Sequence, residues 1–159
     1  MLKLGFIGAG TVGTALSVRL SSKGYPVIAV SSRSQASARK LAQAVSGCHA
    51  FNNNQDVANA AELVFITTPD DTIASVTSEI QWHKGQSVVH CSGALSTDIL
   101  EPAKKSGTQV GSFHPLQTFA SVKQAIENIP GSTFAVESEE PLLTTLKDVA
   151  ITLDSHWTE

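Results

Sequence analysis

Residues 5–16 read GFIGAGTVGTAL, and this stretch decides the fold. Leu2 to Ile7 is a short apolar run ending in glycines, the pattern of a strand buried on both faces of a parallel sheet. Val12, Ala15, Leu16 and Leu20 then recur at helical spacing, and Gly24 closes that helix. The link, Gly8-Ala9-Gly10-Thr11-Val12-Gly13, is a GxGxxG between a strand and a helix, the context in which the motif carries meaning. Gly8 permits the tight turn, Gly10 lets the backbone approach a pyrophosphate, and Gly13 allows close helix–strand packing. Free N–H groups at the helix start then bind phosphate. The other reading is a glycine-rich turn with no ligand.

The rest of the chain repeats the alternation. Strands are expected at Val27–Val30, Leu63–Ile66, Val88–His90, Val110–Phe113 and Thr133–Val136. Ser34 can cap a helix with Ala38, Leu41, Ala42 and Val45 on its apolar face, and Asp70 can cap one with Ile73, Val76 and Ile80 inward. Ser96 can start a helix in which Pro102 forces a kink or a late start. A short helix at 122–127 leads to the turn Asn128-Ile129-Pro130-Gly131, and Ser138 is expected to cap a final helix carrying Leu143, Leu146, Val149, Ala150 and Leu153. The expected architecture is α/β, a single domain over residues 1–159 with a doubly wound, mostly parallel Rossmann-type sheet. Such sheets bind ligands beyond their C-terminal strand ends, near the topological switch point.

Composition narrows the function. With 42% apolar and 16% charged residues among 159, the chain is not a disordered tail. A net charge of −3 argues against a nucleic-acid binder. Two cysteines, Cys48 and Cys91, make neither a disulfide scaffold nor a CxxC zinc site, and no metal site is expected. No apolar run approaches membrane-spanning length, and glycines interrupt the N-terminal one, so a cytoplasmic protein with no membrane partner is expected. The charge is uneven: residues 1–55 hold six basic and no acidic side chains, against five basic and 14 acidic in the remainder. A cationic N-terminal half on an acidic chain suggests a local anionic ligand.

Four strand ends carry the chemistry. A site for NAD places Asp or Glu about 20 residues after the glycines, on the ribose 2′-hydroxyl; this chain has Ser31-Ser32-Arg33-Ser34 there. Arg33 can pair with a 2′-phosphate, with hydroxyls of Ser32 and Ser34 donating to it, so NADP is the expected cofactor; otherwise the segment is a solvated loop with a capping serine. In Thr67-Thr68-Pro69-Asp70-Asp71, Pro69 stiffens a loop able to line the nicotinamide ribose, while Asp70 and Asp71 read as turn and cap residues. In His90-Cys91-Ser92-Gly93-Ala94, Ser92 and Gly93 can bind a substrate carboxylate or carbonyl, His90 reads equally as a satisfied core histidine, and Cys91 as a small buried residue. In Ser112-Phe113-His114-Pro115, Pro115 forces His114 out of helical conformation, and His114 can donate a proton or orient a substrate. His49, His83 and His156 read as surface residues.

GFIGAGTVGTAL, ITTPDDTI, VVHCSGALS and GSFHPLQTF occur in this order over nearly the whole chain. Together they resemble a family of Rossmann-like oxidoreductases whose C-terminal half is a helical domain of unknown function. It is related to pyrroline-5-carboxylate reductases, 6-phosphogluconate and beta-hydroxyacid dehydrogenases, and prephenate dehydrogenases. The resemblance implies NADP binding: Gly8, Gly10, Thr11, Val12 and Gly13 at the pyrophosphate, Ser32 and Arg33 at the 2′-phosphate, Thr68 and Pro69 beside the nicotinamide, and Ser92, Gly93, His114 and Pro115 toward substrate. It also implies a closing, dimerising helical domain after residue 159, with a Tyr-His motif, that is absent from this chain. The expectation is therefore the NADP-binding domain of an oxidoreductase passing hydride to or from a small, unidentified substrate, ending after a helix and self-associating as a homodimer. The alternative is a dinucleotide-binding regulatory module without turnover.

Overall fold

The computed structural model describes residues 1–159. In chain order the elements are β1 (Leu4–Ile7), α1 (Thr11–Ser22), β2 (Val27–Ser31), α2 (Gln35–Ala44), β3 (His49–Ala50), α3 (Asn54–Ala60), β4 (Leu63–Ile66), α4 (Asp70–Glu79) and β5 (Ser87–His90), and then a 3₁₀ turn (Thr97–Leu100), α5 (Glu101–Lys105), β6 (Gln109–Pro115), α6 (Val122–Asn128), β7 (Thr133–Ser138), α7 (Leu142–Thr152) and β8 (His156–Thr158). One sheet runs in the order β3-β2-β1-β4-β5-β6-β7-β8. Every neighbouring pair is parallel except β6 with β7.

Period-two alternation along the strands feeds two cores. Leu4, Phe6, Leu63, Phe65, Val89 and Phe113 face α1, α2, α6 and α7; Ile7, Val64, Ile66 and Val88 face α3, α4 and α5. Aromatic rings run along the first face: Phe6 and Phe65 stack with centroids 5.0 Å apart, and Phe113 and Phe134 at 4.1 Å. His90 lies two residues after Val88, and His114 four after Val110, so both project on the second face, at the strand ends.

The differences from expectation have local causes. β1 begins at Leu4, because Leu2 is exposed and Lys3 N–H donates to the Glu62 carboxylate. Asp70 is the first residue of α4 and Pro69 stands at its cap. Ser138 does not cap the last helix: it ends β7, opposite Gly111, with its hydroxyl donating to Val110 O at 2.9 Å, and α7 starts four residues later. The chain does not stop at a helix, since β8 pairs with β7 after α7. Ser96 caps the 3₁₀ turn, and Pro102 falls in the first turn of α5, the late start its ring requires. No helix is long and apolar enough to cross a membrane.

Candidate functional site

β1, β4, β5 and β6 are parallel, so their C-terminal ends share one edge of the sheet. The chain leaves β1 toward β2 on one side and returns to β4 on the other. The crevice between the β1 and β4 ends is thus the topological switch point, where helices diverge and backbone groups are exposed to a ligand.

The three motif glycines have three different reasons. Gly8 has φ +112°, and a Cβ there would lie 2.7 Å from Thr67 C and 2.8 Å from Thr68 N. A Cβ on Gly13 would strike Thr67 Oγ1 and come within 2.7 Å of Gly8 O. Gly10 is extended at φ −84°, and its Cβ would meet nothing within 4 Å. The protein's own packing therefore demands glycine at 8 and 13 but not at 10. Gly10 also begins α1 without a side-chain cap, and the N–H groups of Thr11, Val12 and Gly13 have no acceptor in the protein. Those donors sit at the positive end of the helix dipole, with no acidic residue in the first turn.

Thr67 lines the cleft and also braces this loop. Its N–H donates to Ile7 O at 2.8 Å and its hydroxyl to Gly8 O at 2.9 Å. Thr68 is different: its Oγ1 is buried with no hydrogen-bond partner, and the residue lines two adjoining cavities of about 290 and 160 Å³. The larger cavity brings Gly8, Ser32 and Arg33 together with Thr68. Arg33 is exposed and outside both salt bridges of the protein. The other serines of that loop are engaged locally. Ser31 donates to Asn54 Oδ1 at 2.7 Å, Ser32 Oγ accepts from Ser34 N–H at 3.3 Å, and Ser34 caps α2 by accepting from Ser37 N–H at 3.2 Å. Ser31 and Ser34 lie outside the lining of the cavity, whereas Ser32 and Arg33 line it. Asn54 and Glu79 line it too, and sequence reading missed both.

The smaller cavity carries Val12, Cys91 and Ser92 across to β5. His90 is fully buried and organises this strand end. Its Nδ1 accepts from Ser92 N–H at 3.0 Å and its Nε2–H donates to Ser96 O at 3.0 Å, which requires the neutral ring. Burial accordingly holds its pKa below the ordinary 6.5, outweighing the Ser96 carbonyl and the Asp70 and Glu137 carboxylates, which act the other way. Burial also pushes the Cys91 thiol up to about 12, so it is no nucleophile near neutrality.

The His90 geometry predicts a pH dependence. The unfolded ring takes up a proton below about pH 6.5 while the folded ring resists it, so its stabilisation is complete above 6.5 and declines as pH falls below that value. His90→Phe leaves Ser92 N–H unpaired, and a loss of about 1–3 kcal/mol is expected at pH 7.5. Thermal melts between pH 7.5 and 5.5 should show a smaller pH effect in the variant; an identical slope in both proteins would refute the assignment.

A third cavity, of about 280 Å³, lies beyond β5 and contains Ser92, Gly93 and His114. His114 Nδ1–H donates to Cys91 O at 3.1 Å, leaving Nε2 free against Gly93. A Cβ on Gly93 would lie 2.6 Å from His114 Cδ2, so glycine is what admits the ring. Pro115, buried at the end of β6, fixes where that ring leaves the strand. Pro69 is exposed at the head of α4. His49, His83 and His156 are exposed, and none of them lines these three cavities.

Comparison with known proteins agrees with this geometry. A candidate NADP oxidoreductase from Bacteroides fragilis has 27% sequence identity and a TM-score of 0.86, over 99% of this chain and 60% of its own. A Thermotoga maritima protein has 30% identity and a TM-score of 0.73, over 97% and 56%. The 3-hydroxyisobutyrate dehydrogenase of Mycobacterium tuberculosis shares the fold at 16% identity and a TM-score of 0.82, over 99% and 54%. The chain thus spans between 54% and 60% of the length of these structures. No curated protein matches the sequence. The strand–glycine loop–helix unit, the parallel strands β1 to β6 and the switch-point crevice all fall within residues 1–115, and over those residues the chain matches, and belongs to, the Rossmann-like domain family.

Proposed function

We propose that this chain is an NADP-binding domain of an oxidoreductase, holding the dinucleotide along the strand ends from Arg33 to His114. The observation that carries the reading is Gly10: nothing in the protein requires glycine there, and it adjoins three unpaired N–H donors at a helix start. Gly8, Gly10, Thr11, Val12 and Gly13 would hold the pyrophosphate through backbone donors. Ser32 and Arg33 would hold the 2′-phosphate, and Thr68, whose buried hydroxyl has no partner, would meet the sugar and nicotinamide with Pro69 beside it.

When bound, the nicotinamide supplies or accepts the hydride. The chain's own residues orient and protonate. Ser92 and Gly93 present hydroxyl and N–H groups to a small substrate in the third cavity. His114, fixed through Nδ1, has Nε2 available to give or take the substrate's proton. The likeness to the Bacteroides fragilis protein supports the cofactor assignment. Titration calorimetry with NADP and NAD tests it: NADP should bind at least about tenfold more tightly, and equal affinities would withdraw NADP in favour of a loop that only caps α2.

A further inference from the structure

The structure assigns a carboxylate to the cleft that holds Arg33, and we infer that Glu79 is a specificity-determining residue which opposes the 2′-phosphate and limits the preference for NADP over NAD. This inference rests on the cofactor reading above.

Thr72, Ser75, Val76 and Glu79 fall at i, i+3, i+4 and i+7 on α4, one face of the helix, and all four line the Arg33 cavity. The Thr72 and Ser75 hydroxyls donate back into their own helix, to Pro69 O at 2.9 Å and Thr72 O at 3.0 Å. Glu79 is thus the only acidic side chain lining the cavity, and Arg33 the only basic one. They share it without pairing, since neither belongs to a salt bridge.

Glu79 does not lie there by chance of rotamer. Asn54, the first residue of α3, donates from Nδ2 to Glu79 Oε1 at 2.8 Å and accepts at Oδ1 from Ser31 at 2.7 Å. Ser31 is buried at the end of β2, and its carbonyl accepts from Gly8 N–H at 2.8 Å. A chain of hydrogen bonds therefore ties the carboxylate to the glycine loop. A carboxylate on the last residue of a helix is also on the wrong end for the helix dipole, so helix stability gives no reason for it. Residues that break a local rule in a ligand cleft are candidates for function.

A 2′-phosphate seated by Arg33 brings nearly two negative charges into a cavity of about 290 Å³ that already holds one. A ribose 2′-hydroxyl brings none. Repulsion of that kind selects between ligands differing by one phosphate.

The test is calorimetry of the full chain with NADP and NAD at low and high salt. Glu79→Gln keeps an oxygen to accept from Asn54 but removes the charge. It should tighten NADP by about three- to tenfold and leave NAD within about twofold, with the difference shrinking as salt screens it. Glu79→Lys should go further in the same direction. The melting temperature without ligand should not change for Glu79→Gln, which separates charge from folding. If NADP binds through Arg33 but its ratio to NAD is unmoved by both variants, the inference is overturned while the cofactor reading stands. If NADP does not bind the unmodified chain at all, both fall together.

Discussion

Gly10→Val is expected to weaken binding of NADP and NAD alike by about 100-fold or more while leaving the fold intact. The Cβ enters open space, so no protein atom must move. The backbone there is extended with negative φ, which valine adopts readily. The branched side chain instead occupies the approach to the N–H groups of Thr11, Val12 and Gly13. Exclusion of the pyrophosphate from those donors is worth at least about 2.7 kcal/mol. Valine is a poorer N-cap than glycine, which costs about 1 kcal/mol, or roughly 2–4 °C in melting temperature. Gly13→Val provides the contrast. Its Cβ collides with Thr67 Oγ1 and Gly8 O, so it should lower stability by more than about 2 kcal/mol as well as binding. Calorimetry beside thermal melts separates the two. Gly10→Val binding either dinucleotide normally would mean that the loop is a turn without a ligand.

Arg33→Ala should remove most of the preference for NADP and leave NAD nearly unchanged. A hydrogen bond to a charged group contributes about 1.5–3 kcal/mol, which is roughly 10- to 150-fold in affinity. Arg33 is exposed, so the lower end is expected at physiological salt. The pyrophosphate donors of α1 are untouched, which is why NAD should not suffer. Ser32→Asp should reverse the preference, because a carboxylate at the end of β2 repels the phosphate and accepts from a 2′-hydroxyl. Calorimetry of both variants with both dinucleotides decides it. A ratio unchanged in Arg33→Ala would locate the 2′-phosphate elsewhere.

The parts of the fold legible in the sequence are those with a strong period or a strong motif. β4 is an uninterrupted apolar run, Val88 and Val89 mark β5, and Gly8 to Gly13 announces its own context. What escapes is short or polar. β3 is two residues and exists only by pairing with Ala29 and Val30. α3 buries only Val57 and Ala58, too few to show a period. Its one signal is Asn53 three residues before Asp56, where the Asn side chain accepts from Asp56 N–H at 2.9 Å. With α3 unread, Asn54 has no place, and the serine–arginine loop reads as free of any neighbouring carboxylate; Glu79 corrects that. Ser138 carries a plausible capping signal, overridden by antiparallel pairing that only the tertiary structure creates. His90 stays open between core and site because its role depends on Ser92 and Ser96, whose loop geometry no local pattern encodes.

The hydroxyl of Thr67 has a thermodynamic corollary. By holding Gly8 O from the neighbouring strand and filling the space against Gly13, it keeps the glycine loop in one conformation before any ligand arrives. Glycine-rich segments otherwise lose much backbone freedom when they order. Here that loss is already borne by folding, so association need not include it, and a larger share of the interaction energy appears as affinity. Removing this one methyl-and-hydroxyl brace would therefore show itself chiefly as a more unfavourable entropy of binding, with the enthalpy little altered.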